Sequence, residues 1–480
     1  MITADTLLLF LLIVTSLPVF AISYNYVILV LASLRYDAKI KRIMERSKGS
    51  INPPKVTIII SSFNERYVIE RNINAAVLID YPKDRLQIIV ADDSTDETYQ
   101  IAKEKVNELL IKGYDIQLIH RESRDGFKSG ALNNAIKFVK GEYILITDVD
   151  CILPPDILKK TIPFMKNDYS FISFKTGYIN RVYNWVSRAY ALALDIFETV
   201  ERAGRTCLNV PFSLQGKCSL IRKDHIDEVR GWSQDIVVDD MDLSCKLFLN
   251  GKDGLFIKDT IVLGEAPPLI EIWKRQTARN AEGYGQCLRK HFLRIWRSRI
   301  SIISKLELIL LLVWPFASIG WLITTFIAAL GLLFNFQVAP SLFQNPVYII
   351  LLMVPAIIVS LAPLYVLRLY GQNIRENLQA IILLPYYQLS MAISNSINFI
   401  KGIFGLRYEF FRRPKYGLKG KEGEWKGRYR IGMNKLSYIE LLIAFVLGAL
   451  SVIAFLNSSY FLGLNLFAFS VITLWSLYKR

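Results

Sequence analysis

Two carboxylates, two residues apart, follow one of the apolar runs of this chain. Asp148 and Asp150 come at the end of residues 143–147, whose composition is typical of a buried strand. Side chains at positions i and i+2 of a strand point to the same face. Hard oxygen ligands of this kind suit Mg²⁺ or Mn²⁺, which keep part of their shell for phosphate oxygens. The spacing predicts a metal site for a nucleotide diphosphate, the alternative being two acids that only end a strand and cap a helix.

Polar residues also follow the other predicted strands. Residues 56–61, 86–91 and 116–119 are short β-branched runs, and a helical pattern separates each from the next. This β-α-β-α-β-α-β order predicts a parallel sheet that helices cover on both faces. Ligands of such sheets bind beyond the carboxyl ends of the strands. Those ends carry Asn64 and Glu65, Asp92 and Asp93, and Asp148 and Asp150.

Three acidic strand ends aimed at one crevice would repel one another unless a metal ion or a polar ligand lay between them. After the first strand, the sequence has neither the glycine pattern of dinucleotide-binding folds nor a G-x-x-x-x-G-K-[ST] loop. We therefore expect carboxylates and a cation, rather than a glycine-rich loop, to hold a nucleotide.

Five apolar stretches are candidates for crossing a membrane. The chain has 480 residues, of which 52% are hydrophobic, and a crossing takes about 20 apolar residues. The predicted transmembrane helices lie at 1–34, 306–336 and 346–368, with two more within 437–478. A weaker segment at 376–400 contains several polar residues, so we expect an interfacial or re-entrant helix there. This gives five crossings, or six if the weaker segment also spans the bilayer.

Charge placement orients the chain in the membrane. Only Asp5 is charged before the first span, whereas a basic cluster follows it, so the positive-inside rule places residue 35 onward in the cytoplasm. The cluster consists of Arg35, Lys39, Lys41, Arg42 and Arg46. The formal net charge is +16, but many basic residues lie beside apolar segments, and no helix-turn-helix, zinc-finger or RNP pattern is present. We expect membrane lipids and a phosphorylated substrate as partners, and no nucleic acid.

Eight short motifs occur in an order that resembles a known family. They are 63–65 (FNE), 92–98 (DDSTDET), 128–133 (KSGALN), 148–150 (DVD), 215–222 (QGKCSLIR), 239–244 (DDMDLS), 276–279 (QTAR) and 413–415 (RPK). The ordered set is similar to that of the processive, membrane-embedded members of glycosyltransferase family 2, which include the cellulose, chitin and hyaluronan synthases. The resemblance runs from residue 56 to about residue 415.

The resemblance implies an α/β GT-A (Rossmann-like) catalytic domain at residues 50–265, cytoplasmic and inserted between the transmembrane helices of a multi-pass protein of the cell membrane. It implies inverting transfer of a hexose from a nucleotide-diphosphate sugar to a saccharide or lipid-linked acceptor, and hence polysaccharide synthesis. A UDP-sugar is the first expectation for the donor and a GDP-sugar the second. Mg²⁺ or Mn²⁺ is the expected cofactor.

The same resemblance assigns roles to individual residues. Asn64 and Glu65 belong to the donor site, Asp93 binds the base or ribose, and Lys128 contacts the diphosphate. Asp148 and Asp150 bind nucleotide and metal, and Asp240 is the general base. An inverting transfer does need one carboxylate to take the acceptor proton. In the alternative interpretation, the acids at 239–242 only cap a helix or favour its dipole.

Residues 266–300 are predicted to form interfacial helices, and they carry the one departure from the family pattern. Gln276 is expected to contact the acceptor or the diphosphate, and Arg279 is a bidentate donor suited to diphosphate. In the family, a tryptophan that stacks on the acceptor sugar follows the arginine, whereas this chain has Asn280, which has no π-face. Tyr284 lies one helical turn further and is the candidate replacement. Alternatively, Arg279 only reaches toward the membrane surface.

Residues 401–436 are basic and resemble the gating loop of the family. Arg413 stands where the family usually has threonine. We expect Lys415 to contact the donor when such a loop closes over it. A solvated basic run beside the membrane is the alternative.

Three other functions fit part of the sequence. Transfer of a single sugar to a lipid acceptor fits the missing tryptophan. A transporter would explain the spans, although ionisable residues within them are nearly absent apart from Lys305, Glu307 and Glu440 near span ends. A nucleotide-sensing protein would explain the crevice but would not need Asp240 or the pair of Gln276 and Arg279.

Overall fold

The computed structural model describes residues 4–47, 52–167, 169–333, 346–406, 415–425 and 435–478. Its strands are β1 Val56–Ser62, β2 Leu86–Asp92, β3 Asp115–His120, β4 Tyr143–Asp148, β5 Phe171–Tyr178, β6 Cys218–Arg222 and β7 Gly254–Gly264. They form one seven-stranded sheet in the order β3-β2-β1-β4-β6-β5-β7.

The first four strands make the parallel half of the sheet. β1 pairs in parallel with both β2 and β4, and β2 pairs in parallel with β3. Every residue of β2 is buried, which is typical of a strand with helices on both faces. The predicted β-α-β-α-β-α-β arrangement and the α/β fold class are confirmed.

The remaining strands make the sheet mixed. β6 runs antiparallel to β4 and to β5, whereas β5 and β7 are parallel. Because β6 lies beside β4, the residues just before β6 come alongside the end of β4. The backbone N–H of Asp148 donates to the Lys217 carbonyl at 2.7 Å. The antiparallel strand therefore brings residues 215–217 next to the predicted metal ligands.

Helices cover the sheet and precede it. They are α1 Ala4–Ser33, α2 Tyr36–Arg46, α3 Ile69–Val77, α4 Thr98–Ile111, α5 Phe127–Ala135, α6 Ile157–Met165, α7 Trp185–Ile196, α8 Ala203–Leu208, α9 Lys223–Glu228 and α10 Asp239–Leu249. Short 3₁₀ segments occur at Lys83–Arg85 and Ile136–Phe138, and a π-helical turn, Phe197–Arg202, joins α7 to α8. The main apolar core lies between these helices and the sheet.

The helices after the sheet are α11 Ile270–Arg297, α12 Ile302–Leu312, α13 Pro315–Leu333, α14 Pro346–Leu369, α15 Ile374–Ser390, α16 Ala392–Phe404, α17 Lys435–Leu456 and α18 Tyr460–Tyr478. Within the described residues, two helical segments are long and apolar enough to cross a membrane, Phe10–Ser33 and Leu436–Leu456. The pair α12 and α13 adds a third if its two parts form one span. The predicted domain limits and the five or six crossings remain predictions.

Two predicted helices are divided. In place of one helix at 306–336, α12 ends at Leu312 and α13 begins at Pro315, with a bend of 60° between them. Proline has no backbone N–H and favours the first turn of a helix, so the helix restarts there. In place of one helix at 376–400, α15 and α16 meet at Met391. These divisions leave both predictions open, because two bent helices can form one span and a divided helix fits the re-entrant segment expected at 376–400.

Buried polar contacts connect helices that lie far apart in the chain. Lys274 of α11 and Glu440 of α17 form a pair at 2.5 Å. Glu307 of α12 accepts hydrogen bonds from Asn25 of α1 at 2.7 Å and from Arg205 of α8 at 3.0 Å. Two of the ionisable residues near predicted span ends therefore join helices to one another, and the first pair fixes the position of α11.

Candidate active site

The carboxyl ends of the parallel strands face α10 and α11 across a cavity of about 550 Å³. The predicted site residues that line it are Glu65, Asp93, Lys128, Asp148, Asp240, Gln276, Arg279, Tyr284 and Lys415. Asn64 and Asp150 lie outside the lining. Residues from distant parts of the sequence thus meet at the edge of the sheet where ligands of α/β folds bind.

Asp93, directly after β2, is bound by an arginine from the end of β3. The Arg121 Nε donates to Asp93 Oδ1 at 2.8 Å, and Nη2 donates to Oδ2 at 2.6 Å. Such two-point pairs are geometrically specific. Close by, the Arg124 guanidinium lies 3.4 Å from the centre of the Phe63 ring, and both residues line the cavity. This end of the cavity therefore offers a carboxylate and a flat, cationic wall.

Asn64 joins two loops instead of facing the cavity. Its Oδ1 accepts from the Thr95 backbone N–H at 2.8 Å, and its own backbone N–H donates to Ser94 Oγ at 2.8 Å. Its φ of 51° is a left-handed conformation that asparagine tolerates better than most residues. Asn64 therefore holds the loops after β1 and β2 together, while the buried Glu65 beside it lines the cavity.

Lys128, at the start of α5, pairs with the first carboxylate of the D-x-D motif. Its Nζ lies 2.7 Å from Asp148 Oδ1 and donates to the Gly216 carbonyl at 2.7 Å. Burial alone would lower the pKa of Lys128, but Asp148, Asp239 and Asp240 raise it above its ordinary value. Lys128 therefore remains a cation in the cavity.

Asp150, the second carboxylate of the motif, is buried behind the cavity wall and forms an ion pair with Lys415. Glu265, just after β7, holds the residues that follow Lys415. Its carboxylate accepts from the backbone N–H groups of Tyr416 and Gly417 at 2.8 Å and of Leu418 at 3.2 Å. These contacts attach residues 415–418 to the D-x-D motif. Arg413, Pro414 and most of the loop predicted at 401–436 lie outside the described residues.

Asp240, in the first turn of α10, faces the cavity. Its Oδ2 accepts from the Gly216 backbone N–H at 3.0 Å, and its Oδ1 from the Met241 backbone N–H at 3.0 Å. A Cβ atom at position 216 would lie 2.6 Å from Asp240 Oδ2, so this approach requires glycine. Burial and the neighbouring Asp239 raise the pKa of Asp240 to about 6, against the effect of Lys128, Arg202 and Arg279. A carboxylate with such a pKa is ionised at neutral pH and basic enough to accept a proton.

Asp242 fixes the helix that carries Asp240. It is fully buried, lies 2.7 Å from His291 Nε2 of α11, and accepts from Ser233 Oγ at 2.6 Å. Burial would raise the pKa of Asp242, but these hydrogen bonds and the nearby Lys290 lower it well below its ordinary value. Asp242 is therefore a charged anchor between α10 and α11.

The α11 residues form the opposite wall of the cavity. The Tyr190 hydroxyl donates to Gln276 Oε1 at 3.3 Å. Tyr284 is 9% exposed, and its ring packs edge-on against Trp314 with centroids 6.1 Å apart. Asn280 and Arg279 also line the cavity. The wall therefore combines amide, guanidinium and tyrosine groups, and the Tyr284 ring shows little of its surface.

Sequence reasoning missed four residues of this site, Arg121, Arg202, Gln215 and Glu265. Arg121 directly follows a predicted strand, so the strand-end criterion that selected the acids would have found it. Arg202 and Glu265 contact the site only because helices and strands far apart in sequence come together, and no local pattern marks them. Gln215 belongs to one of the family motifs, but the motif alone gives it no role.

Residues 57–230 match the family model described as Glycosyl transferase family 2. Residues 57–230 therefore form a family 2 glycosyltransferase domain, as the sequence motifs predicted. The chain is 32% identical over 288 residues to Glucomannan 4-beta-mannosyltransferase 2 of Arabidopsis thaliana, with 58% of this chain and 54% of that protein covered. It is 31% identical over 263 residues to Glucomannan 4-beta-mannosyltransferase 1 of Oryza sativa subsp. japonica, with 53% and 50% covered. The chain spans about half the length of these curated relatives.

A solved structure supports the fold of this family 2 domain. Mannosyltransferase PcManGT from Pyrobaculum calidifontis, in complex with GDP-Man and Mn²⁺, aligns with a TM-score of 0.52 and 19% sequence identity. The alignment covers 81% of this chain and all of that one. At this identity, the likeness concerns the fold.

Proposed function

We propose that this family 2 domain transfers a hexose, with inversion, from a nucleotide-diphosphate sugar to a saccharide acceptor, and that the product is a polysaccharide. The observation that carries the proposal is the position of Asp240. It shares one cavity with Lys128 and Asp148 on the sheet side and with Gln276 and Arg279 on the helix side. A nucleotide-binding protein without catalysis would not need a carboxylate of raised pKa between two cationic walls.

Asp240 is the proposed general base. Its two oxygens accept backbone N–H groups, which hold the carboxylate in one orientation. An ionised Asp240 takes the proton of the acceptor hydroxyl while that oxygen attacks the anomeric carbon from the face opposite the nucleotide. The proton stays on Asp240 until product leaves, and the nucleoside diphosphate departs as an anion toward Lys128 and Arg279.

Asp148 and Asp150 are the proposed ligands of a divalent cation, Mg²⁺ or Mn²⁺. Both are hard oxygen donors, and each is paired with a lysine, which marks the place as one that needs positive charge. Within the described residues, no group of three or more His, Cys, Asp or Glu side chains is arranged to hold a metal ion. A pair of carboxylates completed by water and phosphate oxygens is the usual environment of Mg²⁺. When bound, such an ion would neutralise charge on the leaving diphosphate.

The donor proposed first is GDP-mannose. The relatives named above are mannosyltransferases, and the structure with the same fold holds GDP-Man and Mn²⁺. The cationic wall of Arg124 beside the carboxylate of Asp93 also suits guanine, since arginine pairs well with its acceptor edge. This changes the order expected from the sequence, in which a UDP-sugar came first.

The proposed location is a cell membrane, with the catalytic domain on the cytoplasmic side and several crossings. The apolar helical segments and the basic cluster that follows the first of them support it. Soluble nucleotide sugar would then enter the cavity from the cytoplasm.

A donor screen tests the proposal. Purified protein in lipid vesicles is incubated with GDP-mannose, UDP-glucose, UDP-N-acetylglucosamine or GDP-glucose, with Mn²⁺ or Mg²⁺ and manno-oligosaccharides as acceptors. We expect release of GDP from GDP-mannose and elongation of the acceptor, detected by mass spectrometry. Nucleotide release from no donor would contradict the proposal, and release from a UDP-sugar alone would contradict the choice of donor.

A second candidate acceptor is a lipid. Asn280 lines the cavity where the family has tryptophan, and the ring of Tyr284 is largely covered. An acceptor end that lacks an exposed aromatic platform fits a single-sugar transfer to a lipid. Extraction of the products into organic solvent separates this glycolipid from a water-soluble polymer.

A further inference from the structure

Arg202 is a charged residue in the cavity wall to which neither the sequence nor the comparisons assign a role. It ends the π-helical turn Phe197–Arg202 and is 5% exposed. π-helical turns are rare and often occur at functional sites. Its guanidinium lies 5.5 Å from the Phe197 ring, and both side chains line the cavity beside Gln215.

The partners of Arg202 are neutral. Its Nη1 donates to Gln215 Oε1, and its Nη2 lies 3.4 Å from Ser213 Oγ. The carboxylate of Glu198 in the same turn accepts from Thr176 and from Gln215 instead, and Glu201 pairs with Arg205 at 3.2 Å. In the part of the chain that the structure describes, no carboxylate pairs with the Arg202 guanidinium. The charge of Glu201, the preceding residue, also acts on Arg202, but the ion pair of Glu201 is with Arg205, so the charge of Arg202 can also act on the rest of the cavity.

The nearest functional group along this chain of contacts is Asp240. Gln215, which accepts from Arg202, is followed by Gly216, whose backbone N–H donates to Asp240 at 3.0 Å. Gln215 is also held by Thr176 and by Glu198, so its position depends on the π-helical turn. Arg202 therefore reaches Asp240 both through the Gln215–Gly216 peptide and through its charge.

We infer that Arg202 is a positioning residue for Asp240: it fixes the Gln215–Gly216 segment that binds this carboxylate, and its charge favours the ionised carboxylate. The inference rests on the proposed function, in which Asp240 is the base. In this inference, the π-helical turn places the positive charge of Arg202 near Asp240, where the acceptor hydroxyl would react.

The sign of the effect follows from the groups around Asp240. Those that face it are Asp239 on its own helix, Lys128, Arg202, Arg279, Tyr284 and Cys287. Burial and Asp239 raise the pKa of Asp240, and the three cations lower it. Loss of Arg202 would raise this pKa further, so the base would become ionised only at higher pH. The rising limb of the pH–rate profile would move in the same direction.

The test is the pH profile of kcat/KM with GDP-mannose, or with the donor found active in the screen. In Arg202→Gln, we expect the acid limb to move up by about one pH unit, while GDP binding measured by calorimetry stays within about threefold of wild type. Arg202→Lys keeps the charge but loses the fork of donors. The acid limb of Arg202→Lys should therefore lie at the wild-type pH. Its kcat should be lower than that of wild type, because the contacts with Gln215 and Ser213 are weakened.

Two matched variants serve as controls. Lys217→Gln removes another positive charge from the cavity wall, one whose Nζ donates to the Tyr178 hydroxyl at 3.2 Å, and should leave the limb in place. Arg205→Lys changes a buried arginine of the adjacent helix that pairs with Glu307, and should lower the melting temperature without changing kcat. If Arg202→Gln does not fold, the kcat of Arg202→Lys is compared with that of Arg205→Lys. A lower kcat in Arg202→Lys alone supports the inference, and an equal decrease in both variants contradicts it.

The experiment distinguishes failure of the proposed function from failure of the inference about Arg202. No sugar transfer by wild type from any donor would overturn the proposed function. Normal transfer with an unshifted limb in Arg202→Gln would overturn the inference alone. An equal shift in Lys217→Gln would also overturn it, because the effect would then belong to the cavity as a whole.

Discussion

The two ends of the cavity hold their charges in different ways. The donor end lies around Asp93, Asp148 and Asp150, and the acceptor end lies around Asp240 and Arg202. At the donor end, three acidic side chains have a cationic partner within the chain, and the pairs are Asp93–Arg121, Asp148–Lys128 and Asp150–Lys415. At the acceptor end, Asp240 is bound by backbone N–H groups, and Arg202 by an amide and a hydroxyl.

This difference separates binding from chemistry. Ion pairs at the donor end hold the acids in place, and a nucleotide with its cation must exchange some of these contacts on binding. Neutral dipoles at the acceptor end orient a charge without neutralising it, so the charge is available to a reacting group. Substitutions at the donor end should therefore change KM and metal binding, whereas those at the acceptor end should change kcat and its pH dependence.

The largest effect is expected at the acceptor end. Asp240→Asn keeps the shape of the side chain but cannot accept the proton, so kcat should fall by about a thousandfold or more. GDP binding, measured by calorimetry, should stay within about threefold, because Asp240 itself is not one of the proposed nucleotide contacts. Asp239→Asn, one residue away, is the control and should lower kcat far less. Equal loss of binding and turnover in Asp240→Asn would make this residue structural.

The next effect is expected at the metal site. Asp150→Asn should lower kcat/KM by at least about a hundredfold, because the lost charge weakens cation and donor binding together. Mn²⁺ binding, followed by electron paramagnetic resonance, should weaken in the same variant. Asp115→Asn removes a carboxylate from a surface pair with Lys140 and should change neither quantity. Full activity of Asp150→Asn in the presence of EDTA would refute the metal role.

A smaller effect is expected at the part of the donor site where the nucleobase or ribose is proposed to bind. Arg121→Gln leaves the buried Asp93 without its two-point partner, so KM for the donor should rise about tenfold while kcat changes little. Arg66→Gln, which breaks a surface pair with Glu97, is the matched control. A fall in kcat at constant KM would show that the two ends of the cavity are not separable in this way.

The smallest effect is expected from substitutions that test what kind of acceptor binds. Asn280→Trp should leave donor hydrolysis nearly intact and lower transfer severalfold through crowding, because the wild-type acceptor is not held by an indole at this position. Tyr284→Ala tests whether that ring holds the end of a growing chain, since it would then shorten the product at unchanged donor turnover. A long homopolymer that neither substitution changes would contradict this interpretation of position 280.

Much of the donor end could be predicted from residues alone. The four parallel strands are predicted by β-branched runs, and Asp93 and Asp148 by their places at strand ends, whereas the role of Asp240 comes from the family resemblance. Asn64 was placed in the donor site by its motif, whereas in the fold its side chain joins two loops. The segments predicted at 306–336 and 376–400 each contain two helices, because apolar composition alone does not reveal where a helix restarts.

Hydrophobic periodicity and strand ends are local properties of the chain, so the residues alone predict the parallel half of the sheet and the acids at its edge. The matching of the charges depends instead on how distant segments pack together. Lys415 meets Asp150 because Glu265 holds the backbone that follows it, and Arg202 reaches the Asp240 site because a π-helical turn aims it there. The energy of a charge depends on which groups and how much water surround it, and those neighbours come from segments far apart in the chain.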